Sequence, residues 1–199
     1  MELPLEANYN VAPTQAAYVI TNEAPHTLQQ LRWGLVPFWD KTGKPSGRMI
    51  NARAETIAEK PAFRQAWQKR RCLVPADSFY EWQRVGKEKI PFRIRPADGD
   101  LLVFAGIWEI NRAQADQPPL LTFSILTTEP NAEMQSVHDR MPVLLPQPEQ
   151  QTTWLNDFAS DDLQDLLRPA PDGSLQLEQV SQLVNSVRNN GPELHQPAL

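Results

Sequence analysis

Cysteine occurs once in these 199 residues, at Cys72. A single thiol cannot close an internal disulfide, so a disulfide-stapled secreted scaffold is excluded and a reducing cytosol is the expected compartment. Histidine is nearly as scarce: three residues stand far apart at His26, His138 and His195. No Cys/His ladder with zinc spacing exists, and neither a metal nor another cofactor is expected. No apolar run reaches the roughly 18 residues that a membrane-crossing helix needs. The opening MELPLEANYN has neither the basic start nor the apolar core of a signal peptide. Glycine is sparse, eight residues against nineteen prolines. No glycine-rich phosphate loop and no G-x-S-x-G elbow occurs.

What is present describes a globular chain. Apolar residues make up 41% and charged residues 22%, and the length suits one domain over residues 1–199 with a real core. The net charge of −5 is unevenly spread. Residues 1–100 carry 15 Lys/Arg against 11 Asp/Glu, and residues 101–199 carry 4 against 13. That asymmetry fits a basic face on an acidic body, and equally an ordinary solvated surface.

The many prolines punctuate short elements. Strands are expected in AAYVIT, LQQLRWGL, MINARAE, RCLVPA, SFYEWQR, PFRIRP, LLVFAGIWE, LLTFSILTT and PVLLP. Gly86 and Asp98-Gly99 predict turns that join three of these as hairpins or a meander. Helices are expected in AFRQAWQKRR, which puts Phe63, Ala66 and Trp67 on one face, and in PEQQTTWLNDF, which buries Trp154, Leu155 and Phe158. Ser160 fits an N-cap, with Asp161 and Asp162 in the first turn of a third helix. The tail VNSVRNNGPEL reads as polar loop. Strands in excess with a few flanking helices give an α+β fold, a mostly antiparallel curved or barrel-like sheet.

Several residues could carry chemistry. Glu81 lies amid aromatics in SFYEWQR, on the same strand face as Phe79. A carboxyl in apolar surroundings has a raised pKa that suits proton transfer; a solvated glutamate paired with an arginine is the plainer reading. His138 in SVHDRMPVLL stands where a loop enters a strand, where it could shuttle protons or simply bond to backbone. Asn51 and Arg53 share one strand face in MINARAET, suited to orienting a substrate and holding a phosphate, or to plain surface polarity. Trp33, Phe38 and Trp39 surround a Pro37 turn, as a stacking shelf for unpaired bases or as core. Cys72 opens the apolar run CLVPA and reads as buried and structural.

Taken together, YNVAPTQ, RWGLVPFW, INARAET, KPAFRQAWQKRRCLVPADSFYEW, HDRMPVLL and LVNSVRNNGPEL occur in an order that resembles the SOS-response-associated peptidase family, the abasic-site processing proteins. The resemblance runs from Tyr9 almost to the C-terminus. It implies a protein that holds single-stranded DNA and captures the aldehyde of an abasic site through an N-terminal cysteine, with lyase- or peptidase-type activity. Residue by residue, it implies catalytic roles for Asn51, Glu81 and His138. It places Arg53, Trp39, Trp82, Asn10, Pro13 and Thr127 along the DNA groove. The implied partner is single-stranded DNA with abasic sites, met by a monomer in the cytoplasm, associated with the nucleoid when bound.

One departure stands out. The family carries about twenty to thirty residues ahead of the point where this chain begins, including a Met-Cys-Gly-Arg start, and a loss of that size would remove a whole element. No cysteine stands at position 2, so the expectation is either a start upstream of Met1 or a member that binds single-stranded DNA without crosslinking. A thiol peptidase using Cys72 and His138 is a third possibility on sequence grounds.

Overall fold

The computed structural model describes residues 5–114, 116–156 and 162–198. Phe158, Ser160 and Asp161 lie outside these residues, and so does the side chain of Asp162; the expected cap and the third buried residue of the second helix fall there.

Strand formation follows the apolar runs. Arg71–Ala76 (β4) and Leu102–Asn111 (β7) pair antiparallel, Cys72 opposite Gly106 and Leu73 opposite Ala105. Alternate side chains leave on opposite faces. Leu73, Ala105 and Ile107 join one core with Trp154; Cys72, Val74, Phe104 and Trp108 join a second. β7 lies inside the sheet, with β4 on one side and Leu120–Thr128 (β8) on the other. Ala16–Thr21 (β1) and Leu28–Trp33 (β2) extend the sheet as a hairpin beyond β4. The order is β2-β1-β4-β7-β8, and β2 also pairs parallel with β8 through Arg32 opposite Thr122 and Trp33 opposite Phe123. That last pairing closes the sheet on itself. The short strand Asn51–Arg53 (β3) continues beside β8, and Met141–Pro142 (β9) pairs with its end.

A smaller sheet holds Phe79–Val85 (β5), Glu88–Pro96 (β6) and Leu175–Gln179 (β10) in the order β10-β6-β5. Gly86 turns β5 into β6 at φ +61, a left-handed conformation that glycine adopts without strain. Asp98-Gly99 acts differently from expectation. It does not make a hairpin: β7 leaves the small sheet and enters the barrel, where β4 and β8 already offer ladder partners. Phe79 packs edge-on against Phe104 with ring centroids 5.8 Å apart, and this contact fixes the small sheet to the barrel.

The helices are Pro61–Lys69 (α1), Pro148–Asn156 (α2) and the short turn Asp162–Asp165 (α3). α1 presents Ala66, Phe63 and Trp67 to the core, as its periodicity predicts. The tail is not plain loop. Gln182–Asn185 and Pro192–His195 form 3₁₀ turns whose Val184 and Leu194 are buried.

One glycine is fixed by close approach. A Cβ on Gly106 would stand 2.8 Å from Cys72 Sγ and 3.2 Å from Val74 Cγ2. Gly106→Ala is expected to cost about 1–3 kcal/mol by overpacking. Most of that loss should return in the double variant with Cys72→Ala, because the nearest clashing atom is then gone. Chemical denaturation of the three variants measures it.

Candidate active site

The site forms where the small sheet meets the barrel. Glu81 lies in β5 opposite Phe92, on the same face as Phe79. On that face Phe79 packs against Phe104 of the barrel, and three-quarters of the Glu81 side chain is covered. Burial raises the carboxyl pKa; the His138 imidazole opposes that shift. Water would solvate the ionised form better than this site does, so burial shifts the balance toward the protonated acid.

His138 arrives from the barrel on the loop ahead of β9. The loop is well anchored. Asn131 Oδ1 accepts from the Met134 amide at 3.1 Å, and Met134 and Val137 are buried. The His138 amide donates to Met134 O at 2.8 Å. From β5, Gln83 Nε2 donates to Ser136 O at 2.7 Å and ties the small sheet to this loop. The result brings His138 Nε2 to 4.0 Å from Glu81 Oε2. On the other side of the ring, Nδ1 lies 3.0 Å from the Arg140 amide, 3.2 Å from Arg140 O and 3.2 Å from Asp139 Oδ1.

β3 borders the same loop. Arg53 stands opposite Thr127 of β8, and Thr127 also faces Pro142 of β9. Arg140 grips this corner. Its guanidinium donates to Glu55 Oε1 at 2.8 Å, Glu55 Oε2 at 2.9 Å and Thr127 O at 2.6 Å. The fork holds the Glu55 carboxyl below the usual carboxylate range. Neither Glu55 nor Arg140 was singled out from the sequence. The signal available was the acid in INARAET and the base in HDRMP, and nothing in one dimension pairs them.

The other expected residues fall in different settings. Asn51 and Arg53 are exposed on β3, and among the described residues neither side chain has a hydrogen-bond partner. Asn51 is opposite Ile125, one strand from the His138 loop. Trp39 is 53% exposed and Phe38 is 51% exposed, so this pair lies on the surface and not in the core. Trp33 is half-buried and donates its indole N–H to Ile50 O at 2.9 Å, just ahead of β3. Pro13 is exposed in the turn before β1. Trp82 points to the opposite face of β5 from Glu81 and donates to Asn185 Oδ1 at 2.7 Å. Thr127 is buried. Asn10 is buried too, and its amide donates to Val184 O, Ser186 O and Asn189 O, so it staples the tail to the body. Cys72 has no exposed surface, and burial pushes its thiol pKa up. A thiol peptidase built on Cys72 is therefore excluded: a nucleophile must be reachable and ionisable.

The raised pKa of Glu81 has a thermodynamic consequence. In the unfolded chain Glu81 titrates near an ordinary value of about 4.3. In the fold burial raises it, so the folded state binds the proton more tightly and stability falls as pH rises from about 4 through the raised value. Glu81→Gln should melt higher than the parent at about pH 8, and the two should converge below about pH 4. Thermal melts across that range check it.

Comparisons with known proteins agree with this architecture. A family model described as SOS response associated peptidase (SRAP) matches residues 2–187. The abasic site processing protein YoqW of Bacillus subtilis is 48% identical over 192 residues, which cover 94% of this chain and 84% of that protein. The abasic site processing protein YedK of Escherichia coli is 31% identical over 95% of this chain and 84% of its own length. A crystal structure of a protein from Bacteroides thetaiotaomicron superimposes with a TM-score of 0.80 at 30% identity, over 94% of this chain and 82% of that one.

Proposed function

The chain belongs to the SOS response associated peptidase family, and on that premise we propose that it engages abasic sites in single-stranded DNA, with Glu81 and His138 as its proton-transfer pair. The observation that carries this reading is the 4.0 Å approach of His138 Nε2 to a largely covered Glu81 carboxyl. An abasic sugar exchanges between a closed hemiacetal and an open aldehyde. Opening requires a proton to leave the anomeric hydroxyl and one to reach the ring oxygen. A protonated carboxyl can give its O–H proton to the ring oxygen while its carbonyl oxygen takes the one from the anomeric hydroxyl, so the Glu81 carboxyl can serve both transfers with the imidazole orienting it.

Around this pair, Arg53 on the exposed edge strand offers a bidentate donor for a phosphate. Asn51, two residues earlier on the same face, offers an amide to the sugar. Trp39 and Phe38 offer exposed rings on which flanking bases stack. Asn10 and Thr127 support the groove from within, through the tail and the Arg140 corner.

A second reading rests on one observation. Cys72 is the only cysteine in the sequence and is fully buried. Cys72 therefore cannot close a covalent ring with the aldehyde, and a member that holds the strand without reacting through this thiol is the second reading. One experiment separates the two readings. An end-labelled single strand with one central abasic site is incubated with the protein, and adduct and cleaved strand are read on a denaturing gel beside a binding isotherm. Adduct or cleavage that depends on Glu81 supports processing. Tight salt-sensitive binding with neither product supports the binding module. Absence of both overturns the proposed function.

A further inference from the structure

Arg140 follows His138 by two residues, and its guanidinium pairs with Glu55 and Thr127. Arg140 meets the imidazole through its backbone: its amide N–H donates to His138 Nδ1 at 3.0 Å. A neutral imidazole accepts at one nitrogen and carries its proton on the other. A lone pair on Nδ1 therefore puts the ring proton on Nε2, the nitrogen that faces Glu81. The opposite tautomer also has partners in place. Asp139 Oδ1 and Arg140 O each lie 3.2 Å from Nδ1 and would accept from an Nδ1–H. Two tautomers thus compete for one nitrogen, and the position of the Arg140 backbone decides between them.

That backbone is held by its own side chain. The guanidinium is clamped on three oxygens, two from Glu55 and one from Thr127. Glu55 stands in the 3₁₀ turn Ala54–Thr56 that follows β3, so the clamp also couples the edge strand to the histidine loop. The Arg140 side chain is 19% exposed and that of Glu55 is 46% exposed. Among the described residues no other acid pairs with Arg140.

We propose that Glu55 is a positioning residue that, through Arg140, holds His138 in the Nε2–H tautomer. This rests on the reading of Glu81 and His138 as the proton-transfer pair. Its consequence there is direct. With Nε2–H, the ring presents a donor toward Glu81 and leaves the carboxyl proton free for the sugar; with Nδ1–H it presents an acceptor that takes up that proton. A wrong tautomer can disable an otherwise intact acid–base site.

The test needs no substrate for its first arm. The full chain is labelled with ¹⁵N at histidine, and the two ring nitrogens of His138 are assigned by long-range ¹⁵N–¹H correlation at alkaline pH, where the ring is neutral. The parent should show an acceptor-type Nδ1 and a protonated Nε2. Glu55→Ala should move His138 toward the Nδ1–H pattern, and Glu55→Gln, which keeps one oxygen for Arg140, should lie between them. The exposed position of Glu55 makes loss of fold unexpected, and unchanged amide spectra away from residues 51–56 and 127–142 verify it. Should Glu55→Ala disturb the fold, Arg140→Lys asks the same question by breaking the two-pronged geometry while keeping the charge. In the second arm, Glu55→Ala should lower kcat on an abasic single strand about 10–100-fold with KM little changed. A parent already in the Nδ1–H form, or a tautomer that ignores both Glu55 and Arg140 substitutions, overturns the proposal. If the parent shows no processing at all, the functional reading fails while the tautomer result still stands or falls by itself.

Discussion

Glu81→Gln should slow processing of an abasic single strand by about 100-fold or more at mildly acidic pH. Glutamine keeps the size and one acceptor of the acid but cannot release a proton. The parent's rate should fall as pH rises through the Glu81 pKa, which burial raises above the ordinary range, because the protonated carboxyl is the form that donates. In Glu81→Gln that alkaline decline should vanish along with most of the rate. Binding to an intact strand of equal length should change little, since Arg53, Trp39 and Phe38 are untouched. The contrast with stability sharpens the assignment: the same substitution that removes activity should raise the melting temperature near pH 8. A residue that costs the fold something and returns only chemistry is the expected signature of a site group. Single-turnover rates and melts on the same preparations read both effects.

Trp154→Ala should be the most damaging single change to the fold. The Trp154 side chain has no exposed surface and sits between α2 and the β4–β7 pair. Its indole N–H donates to Cys72 O at 3.0 Å and Gly106 O at 3.3 Å. The ring lies 5.7 Å from Trp67 and carries the Arg71 guanidinium at 5.7 Å. Truncation removes a large apolar body, opens a cavity and takes away a buried donor. The expected cost is about 3–5 kcal/mol. For a chain of this size that lowers the melting temperature by roughly 10 °C or more. Trp154→Phe should recover most of the packing and lose the indole donor, so its cost should fall well below half. Urea denaturation of the three proteins measures the series.

Much of this fold was legible in one dimension because the apolar runs are long and clean. AAYVIT, RCLVPA and LLTFSILTT match their strands end to end. MINARAE reads as a longer strand than it is, since the chain turns into a 3₁₀ turn at Ala54 where β8 can no longer pair with it. LQLEQ escaped notice because Gln and Glu interrupt it. It is a strand only through its register on β6, with Glu178 opposite Arg93 and Leu177 opposite Ile94. Barrel closure through parallel β2–β8 pairing leaves no local trace, and neither does the change of sheet after Gly99. The site shows the same division. A glutamate among aromatics is visible as an oddity in the sequence, and its covered position in β5 explains the oddity. The approach of His138 to it is a product of tertiary structure alone. So is the inward turn of Asn10, whose amide holds the tail.

The account depends on Glu81 and His138 meeting the abasic residue itself. The measurement that tests this most directly is a titration of ring-labelled protein with two single strands of the same sequence, one intact and one with a central abasic site. The abasic strand should shift or broaden the His138 ring signals, and the intact strand should leave them near their free positions while both perturb the Trp39 indole. Equal perturbation of His138 by both strands, or no perturbation by either, would contradict it.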